Sequence, residues 1–254
     1  MPGRASADQH FRAVSSVIGE TAGMPSWWLD ELAHAGAEHL DASYVAGYDR
    51  KSGVDPAADV ALLREHGLGP GTTLIDLGCG TGLFSIAAAA CGALVIAVDV
   101  SAAMTASLRS RVEALGIDNI EVRDAGFLSY EHEGPLVDFA FTRNALHHLP
   151  DFWTAIALRR TGALLRQGGI LQLHDLIYDF GPGEAADHIQ AWLDGAVSDP
   201  EIGYTAADLA THVRTEFSTY RWLLEPMIER AGFTIEDRHF RRGVYGRYTC
   251  RKIA

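Results

Sequence analysis

Short apolar runs alternate with helix-forming stretches through the middle of the chain. The runs are rich in β-branched and aliphatic residues and show little polar alternation, which is typical of strands buried on both faces of a parallel sheet. The predicted strands lie at residues 72–77, 94–98, 119–123, 137–142 and 170–176, with helices predicted at residues 82–91, 101–114 and 151–165. This pattern predicts an α/β fold with a doubly wound, mostly parallel sheet.

After residue 180 the pattern changes. Residues 181–217 contain no strand-like run and are predicted to form two helices, the second beginning at Thr205 with Asp208 as its capping-box partner. Two late strands are joined only by a short turn at residues 241–243, and so short a link forces an antiparallel hairpin. The elements predicted here are helices at residues 184–196, from Thr205 onward and at 218–231, and strands at residues 233–240 and 244–253.

The first 55 residues differ from both of these regions. They carry four aromatic residues, Trp27, Trp28, Tyr44 and Tyr48, and no run typical of a strand. We therefore expect short helices, because so many aromatic side chains disfavour a disordered tail. At the boundary, Asp55-Pro56 indicates the start of a helix.

Composition restricts the class of protein. The 254 residues carry 21 Lys and Arg against 33 Asp and Glu, a formal net charge of −12, which disfavours binding to phosphate backbones. Three cysteines and no CxxC pair favour a reducing cytoplasm over a disulfide scaffold. Residues 1–16 lack a signal-peptide core. The longest nearly apolar run, residues 86–98, is shorter than the roughly 18 residues that span a bilayer. We expect a soluble, cytoplasmic protein with no membrane partner.

The strongest chemical signal is a glycine-rich loop after the first strand. Residues 74–82 read Leu-Ile-Asp-Leu-Gly-Cys-Gly-Thr-Gly; glycines let a ligand approach the backbone, and the following helix N-terminus offers unpaired N–H groups. The second strand ends at Asp99, where a carboxylate can accept hydrogen bonds from ribose hydroxyls. Together these features predict a nucleoside ligand at the carboxyl ends of the strands.

A dinucleotide would use similar features, but the details of this loop disfavour one. The dinucleotide fingerprint GxGxxG requires glycine where this chain has Leu83. The carboxylate of Asp76 would repel a pyrophosphate, whereas it suits a ligand that carries an ammonium and a sulfonium.

The ordered series of motifs resembles the class I S-adenosylmethionine-dependent methyltransferases that act on small molecules. The series comprises residues 76–82, Val98-Asp99, Arg123-Asp124-Ala125 and the sequence Asn-Ala-Leu-His-His-Leu at residues 144–149. The resemblance implies a seven-stranded sheet that ends in an antiparallel hairpin. Segments 1–55 and 181–217 lie where the family varies, and from their position beside the core we expect them to act as lids. The expected parts are therefore a helical N-terminal lid at residues 1–55, a cofactor-binding core at 56–180, a helical substrate lid at 181–217, and a helix and hairpin at 218–254 that complete the sheet.

The resemblance also assigns cofactor contacts to positions of this chain. The glycine loop is expected to hold the methionine part, Asp99 the ribose, and an apolar pair the adenine face. The side chain of Arg143 departs from the small polar residue often found in the family at that position, and Tyr48, Arg50 and Lys51 lie where they could reach the cofactor carboxylate. The implied cofactor-binding residues are Asp76, Gly78, Cys79, Gly80, Asp99, Val100, Met104, Asp124, Ala125 and Arg143.

The adjacent pair His147 and His148 supplies the catalytic candidates. Histidine has a pKa suited to taking a proton from an attacking group; the structural alternative is that one ring only satisfies a loop carbonyl. No metal is expected, because adjacent histidines cannot easily ligate one ion and no HExxH spacing occurs. His174-Asp175, at the end of the fifth strand, is a second candidate pair.

These observations favour in-line transfer of a methyl group from S-adenosylmethionine to oxygen, nitrogen or carbon of a small metabolite. Three alternatives stay open: a methyltransferase acting on RNA or protein, a dinucleotide-dependent oxidoreductase, and a cofactor-binding protein without turnover. Neither the acceptor nor the oligomeric state follows from the sequence.

Overall fold

The computed structural model describes residues 25–253. The chain forms two units, residues 1–30 and residues 31–254. In the described part of the first unit, the rings of Trp27 and Trp28 lie 5.5 Å apart. The predicted lid residues before position 25 lie outside the described residues.

One mixed sheet organises the second unit. Its strands follow the spatial order β3-β2-β1-β4-β5-β8-β7, with β6, a two-residue strand, pairing β5 off this path. The strands are β1 (Thr73–Leu77), β2 (Leu94–Asp99), β3 (Ile120–Asp124), β4 (Val137–Arg143), β5 (Leu165–Tyr178), β6 (Thr219–Tyr220), β7 (Phe233–Arg241) and β8 (Tyr245–Lys252). The first five run parallel, and β8 is antiparallel to both β5 and β7. The predicted seven-stranded, mostly parallel sheet with its closing hairpin is confirmed.

Helices cover the sheet and extend beyond it. They are α1 (Ala42–Ser52), α2 (Ala57–Glu65), α3 (Leu83–Ala89), α4 (Ala102–Leu115), α5 (Asp151–Leu164), α6 (Ala185–Asp194), α7 (Ala206–Thr215) and α8 (Arg221–Arg230). The predicted capping box is present, since Thr205 and Asp208 exchange side-chain-to-backbone hydrogen bonds at the start of α7. The N-cap residue of α2 is Pro56 rather than the predicted Asp55, although Asp55 accepts the Ala57 N–H at 2.9 Å just before the helix. None of the described helices is long and apolar enough to cross a membrane.

Two predicted boundaries are wrong. Strand β5 begins at Leu165 rather than at residue 170 and continues through Gly168-Gly169, because Leu165 already pairs with Val137 of β4. Helix α8 begins at Arg221 rather than at residue 218, because residues 219–220 pair with β5 instead.

The strand order places a ligand crevice beside β1. Strand β1 has β2 on one side and β4 on the other, so connections leave it in opposite directions. In open α/β sheets such a reversal leaves a crevice outside the carboxyl ends of the strands. A buried cluster that includes Leu74, Phe84 and Phe141 lies beneath it, with the two phenylalanine rings stacked 3.5 Å apart. This packing fixes helix α3 against the sheet, and with it the loop that precedes α3.

Candidate functional site

A cavity enclosing about 90 Å³ lies at the carboxyl ends of β1, β2 and β4. It brings together residues that are far apart in sequence but were predicted to share one site. The predicted site residues that line it are Gly78, Gly80, Asp99, Val100, Met104, Arg143 and His148. We call it the nucleoside cavity.

The glycine loop approaches the end of β4 so closely that a side chain would not fit. A Cβ atom at Gly78, where φ is +76°, would lie 2.3 Å from Cβ of Ala145. At Gly80, where φ is +53°, a Cβ atom would point toward the ring of Tyr48, 3.8 Å away. Glycine at these positions therefore satisfies the backbone conformation and leaves open the space between two loops that both line the cavity.

Asp99 has the geometry expected of a ribose acceptor. Its Oδ2 accepts the Gly80 N–H at 2.9 Å, and its Oδ1 accepts the Ser101 N–H at 2.8 Å. Each carboxylate oxygen can accept a second hydrogen bond, and the residue lines the cavity. Burial raises the pKa of Asp99, although the two N–H donors oppose this rise.

Four predicted cofactor residues do not line this cavity. The carboxylate of Asp76 is buried and accepts the Ser85 hydroxyl at 2.5 Å, and burial raises its pKa to about 7. Cys79 packs in an apolar cluster, where burial raises its pKa. Asp124 accepts from Thr105 and pairs with Arg109, so it is turned toward α4, and Ala125 donates its N–H to Asp99 O. Their roles at the cofactor stay predictions.

Several lining residues escaped the sequence analysis because they come from outside the sheet. Glu31 is buried, accepts the Ser129 hydroxyl at 2.9 Å, and has its pKa raised by burial. His39 lies edge-on to both Tyr48 and His148, with ring centroids 5.7 and 5.6 Å away. No local motif marks Glu31 or His39, since Glu31 meets Ser129 and His39 meets His148, each about a hundred positions away.

Helix α1 is attached to the glycine loop. Asp49 accepts from the Thr81 hydroxyl and pairs with Arg111 of α4. Tyr48, on the same helix, lines the cavity, and burial raises its pKa above the ordinary value. Of the three residues predicted to reach the cofactor carboxylate, the structure brings Tyr48 to this cavity, whereas Arg50 pairs with Glu201 and Lys51 lies near Asp208.

A second, larger cavity of about 550 Å³ adjoins the first. The two cavities share five lining residues, His39, Tyr48, Arg143, Asn144 and His148. The rest of the second wall comes largely from residues 31–55 and 181–217, which we call the covering segments. Aromatic side chains contribute as well: Tyr245 lines this cavity and accepts the Trp192 indole N–H at 3.1 Å, whereas Tyr248 is fully buried elsewhere.

Histidines and carboxylates form a cluster on the wall of the second cavity. His147 is buried, with Nδ1 bonded to Asp175 and Nε2 3.0 Å from Oε2 of Glu216. His212 reaches the same Glu216 oxygen through its own Nδ1 at 2.5 Å. His148, the next residue along the chain, lines both cavities. The structure thus brings together His147, from the predicted pair His147–His148, and Asp175, from the predicted pair His174–Asp175.

The two adjacent histidines have opposite electrostatic environments. Burial lowers the pKa of His147, but the charges of Asp175 and Glu216 outweigh it and raise the pKa to about 10. Burial and the nearby charge of His147 lower the pKa of His148 to about 3. At neutral pH, His147 therefore carries a proton while His148 is a neutral acceptor.

Arg143 lines both cavities, and the carboxylate of Asp59 fixes its side chain. It pairs with Asp59, a buried carboxylate that also accepts from the Gln172 amide at 3.1 Å. His174, the remaining member of its predicted pair, places Nδ1 3.5 Å from Oδ1 of Asp59 and lines the second cavity. Because the carboxylate is shared in this way, the guanidinium of Arg143 has a fixed position at the junction.

Comparisons with known proteins agree with this fold. Residues 74–169 match the family model described as a methyltransferase domain. A ubiquinone biosynthesis O-methyltransferase of Xanthomonas campestris is 34% identical over 122 residues, which cover 47% of this chain and 46% of that protein. The chain thus matches only about half the length of the curated relatives, so their reaction is not transferred to it by likeness alone.

Solved structures share the architecture at low sequence identity. Magnesium protoporphyrin IX methyltransferase from Synechocystis, solved with bound S-adenosylmethionine, is 17% identical with a TM-score of 0.60, covering 90% of this chain and all of that one. A phosphoethanolamine N-methyltransferase from Haemonchus contortus is 15% identical with a TM-score of 0.67, covering 89% of this chain and 61% of that one. Residues 74–169 thus match a methyltransferase domain, and the solved methyltransferases share the fold of the chain; both findings agree with the resemblance inferred from its sequence.

The residues present fit that cofactor. The carboxylate of Asp99 has acceptor capacity to spare for a pair of hydroxyls. Gly126, beside it, has no room for a side chain, because a Cβ atom there would lie 2.5 Å from Oε1 of Glu31 and 2.6 Å from Cγ1 of Val100. Met104 and Phe127 supply apolar surface for an adenine. The loop, the acid and the apolar wall all converge on one cavity.

Proposed function

We propose that this protein transfers a methyl group from S-adenosylmethionine to a small-molecule acceptor held in the second cavity. One observation carries the proposal: the nucleoside cavity shares wall residues, including Arg143 and His148, with a second cavity large enough for a metabolite. S-adenosylmethionine, when bound, supplies an activated methyl group on sulfur. The chain itself has to position the acceptor and keep water out, and positioning of this kind accounts for roughly 7–11 kcal/mol of a barrier.

The cofactor-binding roles follow the geometry of the nucleoside cavity. Asp99 accepts from the ribose hydroxyls, Gly78 and Gly80 let the backbone approach the methionine part, and Met104 packs on the adenine. Arg143, fixed by Asp59, sits where the two ligands meet. Four of the predicted residues support the site from outside the cavity lining and do not touch the cofactor themselves. They are Asp76, Cys79, Asp124 and Ala125.

The two histidines take different parts. His148 is neutral at pH 7 and borders both cavities, so it is the residue suited to accept a hydrogen bond or proton from an acceptor hydroxyl. His147 already carries a proton and is held between two carboxylates, so it positions its neighbours rather than acting as a base.

The composition of the cavity wall favours a small acceptor over a macromolecule. The second cavity is enclosed by the covering segments, and acidic residues, including Asp55 and Glu216, stand beside its basic ones. A chain of net charge −12 offers little attraction for a nucleic acid. The three cysteines are unpaired, which suits the reducing cytoplasm predicted for this protein.

A fractionated methyl-transfer assay tests the proposal. The full chain is incubated with S-[methyl-³H]adenosylmethionine and, separately, with a low-molecular-mass metabolite extract, total RNA and total protein. We expect label in the metabolite fraction, and no label there when the enzyme is Asp99→Ala. Label confined to RNA or protein would overturn the choice of acceptor class.

Thermal unfolding with two ligands separates the remaining alternative. S-adenosylhomocysteine should raise the melting temperature, whereas NAD should not, because the loop has Leu83 at the third glycine position of the dinucleotide fingerprint. Stabilisation by NAD alone would favour a dinucleotide-dependent enzyme.

A further inference from the structure

The histidine–carboxylate cluster on the wall of the second cavity has the residue types and the close spacing of a metal centre. Among the described residues, His147, His148 and Glu216 can each offer one ligand atom such that all three atoms lie within 4.8 Å of one another. We propose that these three residues bind a divalent transition-metal ion, with an open coordination position facing the second cavity. The sequence pointed away from a metal because the two histidines are adjacent.

The backbone explains how adjacent histidines can serve one ion. Residues Leu146–His148 form a single 3-10 turn rather than a strand. In this turn the rings of His147 and His148 lie 4.5 Å apart between centroids, at an angle of 42°. In an extended strand, neighbouring side chains would instead point to opposite faces.

The ligand types and spacing suit a borderline metal. Imidazole nitrogen and carboxylate oxygen are ligands of zinc and of neighbouring first-row metals, with bonds of about 2.0–2.2 Å, which place ligand atoms roughly 3.4 Å apart in a tetrahedral site. His147 Nε2 and Glu216 Oε2 are already 3.0 Å apart. The three ligand atoms lie within 4.8 Å of one another and must move closer together to reach that spacing.

Hydrogen bonds from neighbouring residues orient the proposed ligands, as they do in known metal sites. A metal-bound histidine usually donates its other ring N–H to a carboxylate or carbonyl, and His147 does so through Nδ1 to Asp175. Asp175 is fixed in turn by the backbone N–H groups of Leu146 and Leu176, at 2.8 and 2.7 Å. This arrangement aims Nε2 of His147 at Glu216 and at the cavity.

A fourth group stands beside the proposed ligands. His212 Nδ1 lies 2.5 Å from the Glu216 carboxylate, and its Nε2 pairs with the Ser218 hydroxyl at 2.7 Å. His147 and His212 thus converge on one Glu216 oxygen, each with its other nitrogen already held. An ion at this place would displace the proton that His147 shares with Glu216, as metal binding to histidine sites does.

The position of the site gives the ion a role in the proposed reaction. His148 borders both cavities, so an ion bound to it would face the acceptor next to the nucleoside cavity. Three protein ligands leave a coordination position for an acceptor oxygen, whose proton a divalent ion makes easier to remove. This role rests on the proposed function; His148 is then a ligand rather than a base, and the acceptor atom is oxygen. Metal binding itself does not depend on methyl transfer.

Metal titration of the full chain tests the site directly. The protein is treated with chelator, dialysed and titrated with Co²⁺ without cofactor, followed by visible absorption, and Zn²⁺ is titrated in competition. We expect one equivalent of Co²⁺ with ligand-field bands, displaced by Zn²⁺. Azide should shift the bands by occupying the open position. Absence of bands, or bands that azide leaves unchanged, would overturn the site or its open position, respectively.

Variants assign the ligands. We expect Glu216→Gln and His148→Ala each to weaken Co²⁺ binding at least tenfold, while His66→Ala, which removes an exposed histidine, leaves the affinity within twofold of wild type. Circular dichroism checks that Glu216→Gln and His148→Ala keep the wild-type fold. Equal affinity in wild type, Glu216→Gln and His148→Ala would overturn the proposal, whereas S-adenosylhomocysteine binding, measured on the same samples, reports on the proposed function separately.

Discussion

The sheet core and the covering segments build their halves of the site in different ways. In the core, the residues that line the nucleoside cavity follow directly from strand ends, as Gly78 follows β1 and Asp99 ends β2. In the covering segments, the lining depends on pairs such as Asp49 with Arg111 and Glu216 with His147, which join distant parts of the chain. Backbone topology therefore fixes much of the lining of the nucleoside cavity, whereas the second cavity depends on side-chain pairs between distant segments.

The largest effect should come from the acid at the end of β2. Asp99→Ala removes a charged acceptor for the ribose hydroxyls, and hydrogen bonds to charged groups contribute about 1.5–3 kcal/mol each. We expect S-adenosylhomocysteine affinity to fall about 100-fold or more by isothermal titration calorimetry. Asp118→Ala, which removes one negative charge at an exposed position, is the control and should bind like wild type. Unchanged affinity in Asp99→Ala would show that the cofactor does not occupy the nucleoside cavity.

A buried acid in the core gives the next effect, on stability. The pKa of Asp76 is raised by burial to about 7 in the folded state, against about 3.9 in an unfolded chain. The folded state therefore holds this proton more tightly than the unfolded chain does, and stability falls as the pH rises from about 4 to about 7. Asp76→Asn, which keeps an oxygen for Ser85, should gain about 2 kcal/mol more stability relative to wild type at pH 8 than at pH 5.

Urea unfolding at the two pH values measures this difference. Ser85→Ala, which removes the hydroxyl donor but keeps the acid, serves as the matched variant and should be destabilised most at pH 8. An Asp76→Asn effect independent of pH would mean that the carboxylate stays ionised in the folded core.

The same contrast separates what could be predicted from the sequence. The alternation of apolar runs with helix-forming stretches revealed the strands, and the placement of glycines revealed the loop at Gly78. Asp99 was found because it ends the second of these strands. All of these signals are local. Local signals do not reveal which way the side chains of Asp76 and Asp124 point, because that direction depends on neighbours such as Ser85 and Thr105.

The covering segments were predictable only as helices. The capping box at Thr205 is a local signal and was found. The contacts of Glu31, His39 and Glu216 join separate segments, and no spacing in one sequence encodes such a meeting. The 3-10 turn that brings His147 and His148 to one cluster likewise depends on Asp175 accepting the Leu146 N–H from another strand.

Loosening helix α1 should link the two halves of the site. Asp49→Ala removes the contacts to Thr81 and Arg111 that hold α1 on the glycine loop. Since Tyr48 on that helix lines both cavities, we expect roughly tenfold weaker S-adenosylhomocysteine binding, mainly through faster dissociation. Surface plasmon resonance measures both rates. Glu113→Ala, an exposed acid on α4, is the control, and wild-type dissociation in Asp49→Ala would show that α1 does not retain the cofactor.

The smallest effect should come from Arg50, the residue after Asp49, which links the two covering segments to each other. Arg50 pairs with Glu201 at 2.7 Å, but their side chains are 64% and 72% exposed, and such pairs contribute only about 0–1 kcal/mol. Arg50→Ala should therefore change cofactor affinity and acceptor turnover by less than about twofold. Raising the salt concentration should reduce even that difference, because exposed charges are screened. A tenfold loss in Arg50→Ala, equal to that of Asp49→Ala, would mean that the covering segments close over the acceptor as one body held by this surface pair, and not through their separate attachments to the core.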